Sequence, residues 1–133
     1  MCYNLNESAA RKCKVNINSS RSDGIVSAFG TVEEADGVTT VRYTLDGDNC
    51  KLTYSNGKAE QNRVGKQNIK ITFEEGRKTF CEIGSGEFSG GFEVFTKSLK
   101  FISGKGGIKL ALDYESGTDK ERTKLTFTAV YTE

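Results

Sequence analysis

Gly91-Phe92-Glu93-Val94-Phe95-Thr96-Lys97-Ser98-Leu99-Lys100-Phe101-Ile102-Ser103 is a long run of strand-forming residues that changes phase halfway. Phe92 and Val94 fall on even positions, Leu99 and Phe101 on odd ones. Successive side chains of a strand point to opposite faces, so one buried face cannot serve both halves without an extra residue between them. The switch falls at Phe95-Thr96-Lys97-Ser98, which predicts a β-bulge or a change of sheet. Corners of this kind are what barrels and orthogonal sandwiches require.

Alternation of period two continues on both sides of that stretch. Downstream, Ile108, Leu110, Leu112 and Tyr114 share a face, as do Leu125, Phe127, Ala129 and Tyr131 after the turn at residues 116–119. Upstream, Ile69, Ile71 and Phe73 alternate with Lys70 and Thr72, Cys50 with Leu52 and Tyr54, and Val41 with Tyr43 and Leu45. Asn56-Gly57 is a strong hairpin signal, since both residues tolerate positive φ in a type I′ turn. Asp36-Gly37 and Asp46-Gly47 mark two more turns. Proline is absent and glycine occurs 15 times, so glycine turns punctuate the chain. The expected fold is all-β: one antiparallel barrel of about eight to ten strands over residues 11–133. Residues 1–10 are expected to form a tail or short lead-in, with Ser8 as the N-cap of any helix there. Gly84 to Gly91 reads as a glycine-rich loop between strands.

With 133 residues, the chain has the size of one domain and can build a core without disulfides or metals. Nineteen basic residues face 18 acidic ones, a net charge of +1. A dedicated nucleic-acid binder usually carries a basic excess, so nucleic acid is not the expected partner. The balance still permits a local patch. Residues 58–109 hold 10 basic and 6 acidic side chains, which reads as a solvated face. Cys2, Cys13, Cys50 and Cys81 are too far apart for a zinc or redox motif and read as reduced thiols of a cytoplasmic protein. No apolar run suggests a signal peptide or a membrane helix, so no membrane partner is expected.

Histidine is missing, which removes Ser-His and Cys-His pairs, imidazole bases and most transition-metal sites. No glycine-rich segment follows a strand and opens a helix, so no phosphate cradle is present. The carboxylate pairs Glu33-Glu34, Asp46/Asp48 and Glu74-Glu75 sit at turns, where acidic residues are expected for backbone reasons. These absences point away from an enzyme, and no cofactor or metal is called for.

Gly47, Leu52-Thr53-Tyr54, the segment Gly91 to Leu99 and the strand Gly106 to Tyr114 together resemble the YwiB-like family of uncharacterised bacterial proteins. The resemblance runs from about Gly30 to Val130. It implies a calycin-like, that is lipocalin-like, closed barrel and no defined activity.

A barrel of this size can hold one small ligand or be filled by its own side chains. The first expectation is therefore a protein that binds a small anionic or amphipathic molecule. Its candidate ligand-binding residues are Arg42, Tyr54, Phe92, Thr96, Lys97 and Tyr114. Arg42 and Lys97 would steer the anionic group, and Tyr43, Phe92 or Tyr114 would form the apolar wall. The alternative is a filled structural or protein-interaction barrel, monomer or homodimer, with Phe88 or Phe95 at the interface. A weak RNA-binding version would stack bases on Tyr54 or Phe92.

Overall fold

Asn56 and Gly57 both adopt positive φ, 49° and 81°, the type I′ geometry whose twist matches the strands on either side. Asp36-Gly37 and Asp46-Gly47 repeat it. Turns of two residues fix register as well as direction. After Asn56-Gly57, Ser55 pairs with Lys58, Tyr54 with Ala59, Leu52 with Gln61 and Cys50 with Arg63.

The computed structural model describes residues 10–21, 24–85 and 88–132. Ten strands follow in sequence: β1 (Arg11–Ser19), β2 (Ile25–Ala35), β3 (Val38–Leu45), β4 (Asp48–Ser55), β5 (Lys58–Val64), β6 (Asn68–Glu74), β7 (Lys78–Ser85), β8 (Phe88–Gly104), β9 (Gly107–Ser116) and β10 (Glu121–Tyr131). Each pairs antiparallel with its neighbours in sequence, and β1 pairs with both β2 and β10, which closes the barrel. Closure leaves no free edge along the sheet. The inward face of every strand supplies the core, including Val15, Val32, Val41, Leu52, Phe73, Val94, Leu110 and Phe127.

The phase change lies where the sequence places it. Thr96 pairs with Tyr114 and Ser98 with Asp113, so Lys97 is an extra residue in β8. Phe92, Val94 and Thr96 face inward before this bulge, Leu99 and Phe101 after it. One strand thereby turns a corner and keeps its apolar residues inside.

One expectation is corrected. The glycine-rich stretch from Gly84 to Gly91 is not a free loop: Ile83 pairs with Gly90, Gly84 with Ser89 and Ser85 with Phe88, within a hairpin of β7 and β8. A Cβ on Gly91 would run into the Cys81 carbonyl and the Phe80 ring, so the bare backbone allows the two strands to approach. Residues 86 and 87 lie outside the described residues. β1 is strand from Arg11 onward, because Cys13 and Val15 alternate with lysines and pair on both sides. Residues 1–9, with the expected cap at Ser8, lie outside the described residues.

Candidate functional site

The up-and-down path gives the barrel two different ends. The β2–β3, β4–β5, β6–β7 and β8–β9 turns gather at one, and the remaining turns at the other.

The first end is closed by contacts that cross the interior. Tyr54 of β4 stacks on Phe101 of β8, with ring centroids 4.0 Å apart and planes 13° from parallel. Glu34 of β2 accepts hydrogen bonds from the Ser103 hydroxyl of β8 at 3.1 Å and the Thr39 hydroxyl of β3 at 3.3 Å. Strands that are not neighbours in the sheet are thus tied together across the lumen.

Toward the second end the lumen widens into a cavity of about 220 Å³. Its wall is mostly apolar: Ile17, Leu45, Ile69, Ile71, Leu112 and Phe127 contribute. Among the described residues, polar groups enter only from Tyr43, Cys50, Gln61, Arg63 and Tyr114. Gln61 Nε2 donates to the Tyr43 hydroxyl at 2.8 Å, which gives the phenol oxygen a donor. Burial, reinforced by the neighbouring Cys50, pushes the Tyr43 hydroxyl far above its usual range, so it stays protonated. Burial raises the Cys50 and Tyr114 groups as well. A neutral thiol is a poor nucleophile, so Cys50 serves as wall.

Arg63 stands at the mouth, with its side chain about a third exposed (31%). Its Nε donates to Asp48 Oδ2 at 2.7 Å. That bond holds the Asp48 carboxyl below its ordinary range and raises the arginine. Among the described residues no other hydrogen bond from the guanidinium is formed, and it lines the cavity. An arginine oriented by one carboxylate and open on its remaining donors is suited to a second anion.

The six residues expected from sequence do not converge. Tyr114 lines the cavity, and its ring packs against Phe73 at 4.9 Å. Tyr54 belongs to the stack at the closed end. Phe92 faces inward, half-buried against the core. Thr96 is fully buried at the bulge, and its hydroxyl has no hydrogen-bond partner among the described residues. The interior placement of Arg42 and Lys97 is corrected. Arg42 projects outward between buried Val41 and Tyr43 and meets Glu33 at 3.5 Å. Lys97 is the extra residue of the bulge, which turns it away from the lumen toward Glu115 at 3.1 Å. Of the interface aromatics, Phe95 is half-buried and the Phe88 side chain lies outside the described residues.

Arg63 and Gln61 were not among the expected residues. Their strand, Lys-Ala-Glu-Gln-Asn-Arg-Val, shows no apolar alternation. The signal lay in the preceding turn: a two-residue Asn-Gly hairpin places the partners of Cys50, Leu52 and Tyr54 on the same face, and those partners are Arg63, Gln61 and Ala59.

Residues 16–126 match the family described as "Domain of unknown function (DUF1934)". Among solved structures, the chain is similar to the crystal structure of ywiB protein from Bacillus subtilis. The TM-score is 0.81 at 12% sequence identity, covering 99% of this chain and 100% of that one. At that identity the likeness is one of fold. Together these matches bear out the resemblance to the YwiB-like family. No curated protein matches.

Proposed function

The chain belongs to the DUF1934 family, and we propose that within it this barrel is a non-enzymatic binder of one small amphipathic molecule. The observation that carries the reading is the apolar cavity of about 220 Å³ with an arginine at its mouth. An apolar cavity of about 150 Å³ is enough for benzene. The space here suits a single substituted ring or a short alkyl chain.

The apolar body of the ligand would sit among Ile69, Ile71, Leu112 and Phe127, displacing nothing that needs hydrogen bonds. Its carboxylate or other anionic group would meet the free donors of Arg63. Asp48 positions that guanidinium, and Gln61 keeps the Tyr43 hydroxyl from standing unpaired beside an apolar guest. The stack of Tyr54 on Phe101 blocks the opposite end, so entry and exit share the Arg63 mouth. This is the use to which calycin-like barrels lend themselves. Three buried free thiols, Cys13, Cys50 and Cys81, suit a reducing cytoplasm.

Calorimetric titration with hexanoate and with hexanol tests the reading. One molecule of hexanoate is expected to bind per chain, with hexanol weaker. Absence of heat and of any chemical-shift change at Tyr43 or Tyr114 with either compound would refute the cavity as a site.

A further inference from the structure

The outer wall carries a feature that the cavity does not use. Seven ion pairs decorate the described surface; Arg122–Asp113 occupies the far part of the outer face of β10 and β9, and none of the seven lies on the outer face of β1 or on the half of β10, β9 and β8 near the closed end. Register sets the outward residues of that face in rows. Phe29 of β2 lies opposite Lys14 of β1, and Lys14 opposite Val130 of β10. The next row holds Ser27, Asn16, Thr128, Lys109 and Ile102 side by side. The third holds Asn18, Thr126, Ala111 and Lys100.

With Lys12 beyond Lys14, four exposed lysines therefore run diagonally from β1 to β8. No aspartate or glutamate occupies these rows, and none of the four has an acidic group within ion-pair distance among the described residues. Large apolar side chains stand exposed alongside them: Phe29 at 74%, Ile102 at 64% and Val130 at 49%. Asparagine, serine, threonine and Ala111 fill the remaining positions.

Unpaired positive charge repels itself unless something anionic covers it. The band crosses four strands of a ten-strand closed barrel, so it curves around the wall and no flat surface meets all four lysines at once. A flexible polyanion can follow that diagonal. Phe29 offers a face for a base, and the side-chain amides and hydroxyls offer donors and acceptors that a lipid headgroup layer would leave unused. We propose that this band binds single-stranded nucleic acid, with Lys12, Lys14, Lys109 and Lys100 on phosphates and Phe29 as a stacking surface. The near-zero net charge of the chain conceals it, because the acidic residues lie outside these rows.

Fluorescence anisotropy with a fluorescein-labelled oligouridylate of 20 nucleotides tests this. Four phosphate contacts predict about 50-fold weaker binding at 200 mM than at 50 mM KCl. The double variant K14Q/K109Q should roughly halve the salt slope, and F29S should weaken binding without changing the slope. K51Q/K58Q, on a different wall, should leave binding as it is. Thermal melts confirm that each variant folds. The proposal is overturned if no saturable binding occurs at 50 mM KCl, or if K14Q/K109Q binds like the parent. It is also overturned if phosphatidylserine vesicles bind through these lysines while the oligonucleotide does not.

Discussion

Arg63 and Asp48 meet at 2.7 Å across the β4–β5 pair, with the carboxylate nearly covered and the guanidinium facing the cavity mouth. The pair is asymmetric: Asp48 has its partner, and Arg63 keeps donors to spare. A carboxylate ligand gains a charge-assisted hydrogen bond there, worth about 1.5–3 kcal/mol. Arg63→Gln should therefore weaken hexanoate by about 10- to 100-fold while leaving hexanol within about twofold. Arg63→Lys, which retains charge but loses the fork geometry, should fall between. Paired calorimetric titrations check this, and equal losses for acid and alcohol would show that the variant had damaged the cavity itself.

The cavity can be filled from within. Ile71 lines it and is only half-buried. Ile71→Phe should occupy part of the space, reduce hexanoate binding at least tenfold and leave the melting temperature close to that of the parent. Overpacking in a tight core costs about 1–3 kcal/mol. A large fall in stability would therefore mean that the space is not there.

Thr96 has a buried hydroxyl without a partner among the described residues and does not line the cavity. An unsatisfied buried polar group costs about 1–3 kcal/mol. Thr96→Val removes it at nearly constant shape and should raise stability in urea by about 1 kcal/mol, with ligand affinity unchanged. Thr96→Ala opens a hole at the bulge instead and should lower stability. Lost ligand affinity in Thr96→Val would return that hydroxyl to the binding site.

Stability should have a plateau in pH with a fall on each side. Arginine hydrogen bonds hold Asp48 and Asp113 below the ordinary carboxylate range. The unfolded chain takes up those protons first, so this stabilisation is complete above about pH 4 and is lost as pH falls toward the folded values. Burial pushes Cys13, Cys50 and Cys81 up. Their contribution is complete below about pH 8.5 and is lost as pH rises toward the folded values. With no histidine, no imidazole titrates between. Melting temperatures from pH 2 to 11 check both limbs, and Asp48→Asn should flatten the acid one.

The barrel was readable because its information is local. Period-two alternation identifies strands, Asn56-Gly57 fixes a hairpin, and the shift between Val94 and Leu99 marks the bulge. The site was read only in part, because it depends on which polar residues turn inward. Lys97 shares parity with Leu99 and Phe101, yet the bulge absorbs it and sends it outside. Arg42 sits between two inward residues and so must face out. Arg63 and Gln61 lie on a strand without an apolar stripe, and only register carried across the Asn56-Gly57 turn locates them. The lysine band is invisible in the sequence, since Lys14, Lys109 and Lys100 come together only through β1–β10–β9–β8 pairing.

Native mass spectrometry of the protein purified gently from its own cells tests the central claim, that the lumen is a binding site, most directly. The account predicts a population carrying one added small molecule, absent from Ile71→Phe and diminished in Arg63→Gln. A wild-type chain that shows only its bare mass, before and after incubation with hexanoate, would contradict it.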